Sequence, residues 1–189
     1  MSQFLEQQFR SRFEASGAEW NGPESFLPDD PAGLTLQALY VAENPAELGR
    51  KNSLSASPLG TEYDRVHERY HSFLDSYLGS FGFYDIFLTD TRGNIVYSVF
   101  KEVDFATNLS DGPHSDTNLA ECFARTMKAR RGEVICAEAE PYAPSYQAVA
   151  EFMGTPVYVG SERLGALLFQ VPRAKVGSIL GDCAGLGET

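Results

Sequence analysis

Residues 83–105, with the sequence FYDIFLTDTRGNIVYSVFKEVDF, decide the fold of this chain. Two runs rich in apolar and aromatic residues flank the turn-forming segment 90–94. Within that segment, Gly93 or Asn94 can adopt the positive φ that a tight turn needs. The stretch therefore predicts a β-hairpin. The charged cluster at 101–104, which ends the hairpin, is a candidate binding site at one end of the sheet.

Composition excludes several classes of function. The chain has 189 residues, is 43% hydrophobic and carries a net charge of -11, which argues against nucleic-acid binding because phosphate contacts require clustered Lys and Arg. Its three cysteines, Cys122, Cys136 and Cys183, form no CxxC pair and have no zinc-ligand spacing. No stretch approaches the roughly 20 apolar residues of a membrane span.

The remaining sequence predicts helices before the hairpin and three strands after it. Apolar spacing indicates helices over 2–15, 34–40 and 63–78, and Thr61 with Asp64 resembles a capping box for the last of these. We expect a further helix over 116–130, strands over 133–140, 148–159 and 163–171, and a helix from 174 to 180. This order predicts an α+β fold with a five-stranded, largely antiparallel sheet. The helix over 63–78 carries one apolar stripe, formed by Val66, Tyr70, Phe73, Leu74, Tyr77 and Leu78.

Several motifs resemble those of Cache (PAS-like) sensor domains, which are the extracytoplasmic modules of bacterial chemotaxis receptors and of related kinases and cyclases. The matching segments are 84–109, which contains the hairpin, 140–158 (EPYAPSYQAVAEFMGTPVY), 164–172 (LGALLFQVP) and, more loosely, 36–51. The resemblance implies an N-terminal helical extension over 1–60, a sensor domain over 61–181 and the start of a linker over 182–189. The GLGET sequence at 185–189 resembles the segment that leads into a following module.

The resemblance also implies a ligand cavity on one face of the sheet. Strand alternation places Ile95, Tyr97, Val99 and Lys101 on a common face, which we expect to be the cavity side. There, the Lys101 ammonium at the rim and the Tyr97 phenol would suit a small carboxylate, through charge-assisted hydrogen bonds worth about 1.5–3 kcal/mol. A salt bridge from Lys101 to a neighbouring acid, or simple solvation, is the alternative.

Four further residues are candidate contacts. Asp85 lies in an apolar strand, so its carboxylate needs a partner, which is either a structural hydrogen bond or a ligand amine. Asp104 flanks a loop, where it either caps backbone groups or contacts the ligand. Tyr142 and Ser145 lie in a loop with two prolines, which fix its path and suit a pocket wall.

Metal binding and catalysis receive little support. His67 and His71 are four residues apart on a helix, a spacing that can bind a metal, but no HExxH motif or third ligand accompanies them. An exposed or helix-packing pair is therefore expected. No nucleophile elbow, Walker loop or dinucleotide fingerprint is present. The sequence predicts no enzyme, no metal and no cofactor.

The sequence thus predicts a periplasmic ligand-binding sensor domain of a membrane receptor, with an acetate-like carboxylate as the expected ligand. An amine or amino acid is the alternative ligand. A ligand-free dimerisation module, with a second copy of the chain as partner, is a rival function, and a cytoplasmic PAS domain that binds haem or flavin is another.

Overall fold

The computed structural model describes residues 1–172, so the expected helix over 174–180, Cys183 and the segment 185–189 lie outside the described residues. Within residues 1–172, no helix combines the length and the apolar character needed to cross a membrane. The helices are α1 (Ser2–Phe4), α2 (Arg10–Ala15), α3 (Pro31–Gln37), α4 (Glu62–Phe81) and α5 (Asn118–Thr126), and the strands are β1 (Asp85–Asp90), β2 (Ile95–Ser98), β3 (Ile135–Tyr142), β4 (Ala148–Val159) and β5 (Glu162–Val171). Single π-helical turns, Leu5–Phe9 and Ala38–Ala42, follow α1 and α3.

The five strands form one antiparallel sheet in the order β2-β1-β5-β4-β3. Helices precede the hairpin, and α5 separates it from the last three strands, as the sequence predicts. The α+β, PAS-like architecture with an N-terminal helical extension is therefore confirmed.

The hairpin forms where it was expected, but its second strand does not alternate simply. Gly93 adopts φ 97° in the turn. Leu88 pairs with Tyr97, whereas the next residue, Thr89, pairs with Ile95, so Val96 is an extra residue at a β-bulge. The bulge sends Ile95 and Tyr97 to opposite faces of the sheet. The prediction of one shared face for these two side chains is wrong for this reason.

The inner face of the sheet, which we define as the face covered by α5 and the N-terminal helices, carries the main core. Phe9 from the N-terminal π turn, Leu119 from α5 and Phe152 from β4 belong to one buried cluster. Because residues from the expected 1–60 extension share this core with the sheet, burial of their apolar surface ties the extension to the sheet. Gly154 lets α5 approach β4, since a Cβ at this position would overlap Thr126.

The outer face of the sheet is covered by α4. The helix begins at a complete capping box, in which Thr61 and Asp64 each bond the other's backbone N–H, and it ends at Gly82 in a left-handed conformation. The apolar stripe is only partly buried: Leu74, Tyr77 and Leu78 pack against the sheet, but Val66 and Tyr70 are 50% exposed and Phe73 is 66% exposed.

The buried side of α4, at its N-terminal half, is instead polar. Asp64, His67 and His71 are buried along this face. Of the two expectations for this histidine pair, exposure is wrong and packing of the helix is confirmed, because both side chains are buried against Tyr97. His71 bonds the Tyr97 hydroxyl through Nδ1 (2.7 Å) and the Asn52 carbonyl through Nε2 (2.5 Å), and His67 Nδ1 bonds the Ser55 carbonyl (2.6 Å). The segment before α4 supplies these carbonyls, so the polar face can be buried.

Candidate ligand-binding site

Asp85 opens β1 on the inner face of the sheet, directly opposite Gln170 of β5. The side chain is fully buried. Its Oδ1 atom accepts hydrogen bonds from the backbone N–H groups of Ile86 (2.7 Å), Val99 (2.9 Å) and Phe100 (3.1 Å). Its Oδ2 atom finds no partner among residues 1–172. Oδ1 thus fixes the backbone at the end of the hairpin, whereas Oδ2 is a buried acceptor without a donor among residues 1–172.

Two further acids, Glu102 and Asp104, come from the segment that follows β2. The Tyr142 hydroxyl donates to Asp104 Oδ2 at 2.7 Å, while Asp104 Oδ1 has no partner in the described part of the chain. Glu102 accepts hydrogen bonds from the hydroxyls of Tyr84 (2.9 Å) and Ser145 (2.7 Å). The loop that follows β3 therefore contacts both acids through neutral hydroxyl groups.

Gln170 links these residues into one cluster. Its Nε2 donates to Ser145 Oγ at 3.3 Å, and its Oε1, within residues 1–172, has no hydrogen-bond partner. Asp85, Glu102, Asp104, Ser145 and Gln170 are hereafter called the acidic cluster. Three oxygen atoms of the cluster, one each on Asp85, Asp104 and Gln170, are buried acceptors without a donor among the described residues.

The acidic cluster lacks a matching positive charge. Burial, with the nearby Asp104 carboxylate, raises the pKa of Glu102 to about 8, and burial raises the pKa of Asp104 to about 6. Burial also raises the pKa of Asp85, and Asp104 adds to this effect. Because the charged forms are costly in this environment, the cluster either holds protons or requires a cation.

Lys101 does not supply that cation at a cavity rim as expected. It is 1% exposed, adopts φ 56°, and its Nζ donates to the Ser98 carbonyl oxygen. The Nζ atom lies over the rings of Tyr97 at 4.3 Å and Phe105 at 4.9 Å. Burial lowers the pKa of Lys101, and the charge of Asp85 opposes this effect. No salt bridge joins Lys101 to an acid among the described residues, so the alternative of an ion pair with a neighbouring acid is also wrong.

Tyr97 also lies outside the acidic cluster. It packs with Ile86 and Val99 beneath α4, on the outer face, and its hydroxyl is bonded by His71. The bulge at Val96 is the physical reason, because it reverses the face that simple alternation assigns to Tyr97.

The N-terminal helical segment borders the acidic cluster at Glu102. Phe4 and Phe9 line a void next to Glu102, together with Pro144 and Tyr146. The void measures only about 10 Å³, which is at the lower limit for one water molecule. Two residues of the adjoining loop, Tyr146 and Gln147, have positive φ values of 55° and 60°, a strained conformation for residues with a Cβ.

Several larger clefts lie elsewhere in the described part of the chain, and two of them adjoin the hairpin and α4. One, of about 340 Å³, is lined by residues of the hairpin turn and by Asp29 and Asp30, and the other, of about 630 Å³, runs along the apolar stripe of α4. No buried carboxylate lines either cleft. We therefore assign the candidate site to the acidic cluster, where buried polar groups lack partners, rather than to the larger clefts.

The structure brings together four of the six residues expected from the sequence, namely Asp85, Asp104, Tyr142 and Ser145. Lys101 lies close enough to Asp85 for each to affect the pKa of the other, but its Nζ donates to the Ser98 carbonyl. Tyr97 packs beneath α4, away from the acidic cluster. Sequence reasoning missed Glu102, Gln170 and Tyr84. The cluster of charges at 101–104 could have pointed to Glu102. Gln170 could have been found as a polar residue in the apolar run of β5, by the same reasoning that singled out Asp85.

Comparison with known proteins gives structural matches alone. No family model matches the chain, and no curated protein is significantly similar to it. Similar solved structures include the sensor domain of the V. cholerae histidine kinase DctB (14% identity, TM-score 0.45, 93% of this chain) and the ligand-binding domain of the Campylobacter jejuni chemoreceptor Tlp3 in complex with 4-methylisoleucine (12% identity, TM-score 0.45, 95% of this chain). An extracellular ligand-binding receptor from Desulfohalobium retbaense matches with 14% identity and a TM-score of 0.44 over 93% of this chain.

These three structures are of sensor or ligand-binding proteins. The chain spans 59% of the DctB structure, 66% of the Tlp3 structure and 27% of the D. retbaense structure. At these identities the likeness concerns the fold.

Proposed function

We propose that this chain is a ligand-binding sensor domain of a transmembrane signalling receptor, located outside the cytoplasm, and that it performs no catalysis. The observation that carries the proposal is the acidic cluster, in which three buried acceptor oxygens have no donor among residues 1–172. A buried polar group without a partner costs about 1–3 kcal/mol. A ligand that supplies the missing donors would remove this cost, whereas a purely structural core would be better served by apolar side chains.

The position of the cluster suggests how binding would produce a signal. Phe4 and Phe9 of the N-terminal helical segment close the void beside Glu102, which is too small for an organic ligand. A ligand would therefore have to displace these rings. It would favour an arrangement in which the N-terminal segment moves away from the loop at Pro144, and this differential affinity is what a ligand needs to shift a conformational equilibrium.

The charge and the hydrogen-bonding groups of the acidic cluster favour one class of ligand over another. A short carboxylate held by Lys101 loses its support, because the Lys101 ammonium is enclosed by aromatic rings and bonds the Ser98 carbonyl. A carboxylate placed at the cluster would meet Asp85, Glu102 and Asp104, which are acceptors or like charges. Of the two ligand classes that the sequence left open, the amine or amino acid fits this lining better.

A thermal-shift screen with the full chain tests the proposed function. We expect at least one small organic metabolite to raise the melting temperature by several degrees. The shift should disappear in Asp104→Asn and persist in Asp116→Asn, which replaces an exposed aspartate. A broad metabolite screen without any shift, or a shift that survives in Asp104→Asn, would contradict a ligand site at the acidic cluster.

We also propose that the sensor domain forms a homodimer through the exposed stripe of α4. Val66, Tyr70 and Phe73, with the partly buried Tyr63 and Tyr77 at either end, follow spacings of three and four residues, which is the pattern that pairs one helix with another. Val66, Tyr70 and Phe73 are at least half exposed in the single chain. Sedimentation equilibrium of the full chain should show a dimer that Phe73→Arg dissociates. A monomer at all concentrations would contradict this proposal and leave the ligand site unaffected.

A further inference from the structure

We infer that the cleft along the apolar stripe of α4 binds a neutral, mainly apolar small molecule that carries a hydrogen-bond donor, with His67 Nε2 as the acceptor. This site lies on the outer face of the sheet and shares no lining residue with the acidic cluster, so it goes beyond the proposed function.

The first argument is the size and the lining of the cleft. Its volume of about 630 Å³ is within the range of about 300–1,000 Å³ that is usual for small-molecule sites. Helix α4 contributes Val66, Tyr70 and Phe73, and strands β1 and β2 contribute Leu88 and Val96. The three helical side chains are at least half exposed. A ligand in the cleft would therefore remove apolar surface from water.

The second argument is a buried polar atom without a partner. His67 lines the cleft and is 3% exposed. Its Nδ1 lies 2.6 Å from the Ser55 carbonyl oxygen, and a carbonyl can only accept, so Nδ1 carries the ring proton. Burial, with the charge of Lys101, lowers the pKa of His67 to about 3, so the ring is neutral at pH 7. Nε2 is then an acceptor, and it has no hydrogen-bond partner among residues 1–172.

The third argument is charge, which separates a neutral ligand from an ion. Glu62, an exposed carboxylate, is the one residue of the cleft lining that is charged at neutral pH. A carboxylate ligand would meet this like charge and would offer Nε2 a second acceptor in place of a donor. A cation would have to give up its water for an apolar lining. A hydroxyl group on an apolar body avoids both costs.

Entry of the ligand requires a local change at the side chains. Nε2 is buried in the ligand-free chain, so the donor reaches it only when neighbouring side chains turn aside. Val66 and Tyr70 are half exposed, and exposed side chains change rotamer readily. Both also belong to the stripe through which we propose that two copies pair. A second copy and a ligand would therefore compete for the same surface.

Fluorescence titration of three naphthalene derivatives with the full chain tests the inference, at a concentration where sedimentation shows a monomer. 2-Naphthol carries a hydroxyl donor, 2-methoxynaphthalene keeps the rings and the oxygen atom but has no donor, and 2-naphthoate is the anion. We expect 2-naphthol to bind about tenfold more tightly than either of the others. Tenfold corresponds to about 1.4 kcal/mol, which is within the range for one hydrogen bond.

Two variants locate the binding. His67→Phe keeps an aromatic ring and removes the acceptor, so 2-naphthol should lose its tenfold advantage while 2-methoxynaphthalene binds as before. Val66→Glu places a charge in the cleft and should weaken binding of both compounds by about tenfold or more. Val159→Glu is the matched control, because Val159 is an exposed valine that does not line the cleft. Circular dichroism verifies the fold of each variant.

Three results would overturn the inference. Equal affinities for 2-naphthol and 2-methoxynaphthalene, or a preference that survives in His67→Phe, would contradict Nε2 as the acceptor. Equal losses in Val66→Glu and Val159→Glu would place the binding outside the cleft. Absence of binding by all three compounds would leave the stripe to a second copy of the chain, and the proposed function of the acidic cluster would be unaffected.

Discussion

The two faces of the sheet bury carboxylates in opposite ways. Beneath α4, Asp64 accepts hydrogen bonds from the Tyr40 hydroxyl (2.6 Å), from the Ser57 and Thr61 N–H groups (2.8 and 2.7 Å) and from the Thr61 hydroxyl (2.7 Å). These bonds outweigh burial and hold the pKa of Asp64 well below its usual range. On the inner face, Asp104 accepts a side-chain hydrogen bond from Tyr142 (2.7 Å), and burial raises its pKa to about 6 although this bond and nearby backbone N–H groups oppose the shift.

The difference teaches how a structural carboxylate can be told from a functional one. Asp64 uses both oxygen atoms to fix the start of α4 and the loop before it, so its ionised form is part of the folded structure. Asp85 and Asp104 each retain an oxygen atom without a partner in the described part of the chain. A carboxylate that the fold satisfies stabilises it, and one that the fold leaves unsatisfied is available to a ligand.

The largest expected effect concerns the structural carboxylate. Asp64→Ala removes an acceptor that serves Tyr40, Ser57 and Thr61 and leaves these donors without it, so the free energy of unfolding should fall by about 3 kcal/mol. Urea denaturation at neutral pH measures this change. Glu68→Ala, on the exposed side of the same helix, is the control and should change stability by less than about 0.5 kcal/mol. An equal loss of unfolding free energy in Asp64→Ala and Glu68→Ala would contradict the structural role of the Asp64 carboxylate.

The next effect is a loss of stability as the pH rises, caused by the carboxyl groups of the inner face. Its sign is opposite to that of Asp64, whose lowered pKa contributes stability at neutral pH. The pKa values of Glu102 and Asp104 are raised in the folded chain, to about 8 and about 6, because burial disfavours their charge. Their contribution to stability is therefore full below the unfolded pKa values near 4 and is lost as the pH rises towards 8. Asp104→Asn should flatten this decline and stabilise the ligand-free chain at pH 8 by about 1–3 kcal/mol. Chemical denaturation of both proteins between pH 5 and pH 8 measures the slope of the decline and the difference in stability at pH 8.

His67, beneath α4, also makes the stability of the chain depend on pH, but its contribution is lost as the pH falls. Burial lowers the pKa of His67 to about 3, and the charge of Lys101 adds to this effect. A histidine with a lowered pKa contributes stability above its unfolded pKa near 6.5 that is lost as the pH falls towards 3. This contribution is common to both proteins, so it cancels when the pH profile of Asp104→Asn is compared with that of the natural chain. A steeper decline in the variant than in the natural chain would contradict the assignment of Asp104.

The smallest effect concerns the exposed stripe of α4. Phe73→Ser alters a side chain that is 66% exposed, so the stability of the monomer should change by less than about 1 kcal/mol. Phe152→Ala, in the buried cluster of the inner face, should cost about 3–5 kcal/mol. Denaturation at a concentration where both proteins are monomeric provides the comparison, and a large loss in Phe73→Ser would show that the stripe belongs to the core of the single chain.

Local patterns in the sequence were sufficient for most of the fold. The turn at Gly93, the capping box at Thr61 and the apolar spacing of Phe9 and Phe13 depend on neighbouring residues, and each is found where it was expected. The bulge at Val96 was not predictable, because it depends on how β2 pairs with β1. This one residue accounts for the misplacement of Tyr97.

The candidate site depends on contacts between distant segments, which explains why it was only partly predicted. Asp85 was recognised because a charge in an apolar strand needs a partner. Its relation to Gln170 and Asp104 comes from the pairing of β1 with β5 and from the path of the chain after β2. The burial of His67 and the exposure of Phe73 likewise follow from how α4 lies on the sheet. Helical periodicity alone favoured the apolar stripe as the side of α4 that packs on the sheet.

The most direct test of the central claim, that unsatisfied inner-face carboxylates form a site for an ammonium ion, is a count of the protons exchanged on binding. Calorimetric titration of the full chain with putrescine at pH 7, in phosphate and in Tris, gives this number from the difference between the two observed enthalpies. A bound cation favours the ionised acids, so Glu102, whose pKa is about 8 in the free protein, should release its proton. The account predicts a net release and an affinity that rises between pH 6 and pH 8. Equal enthalpies in the two buffers, or a net uptake of protons, would contradict it.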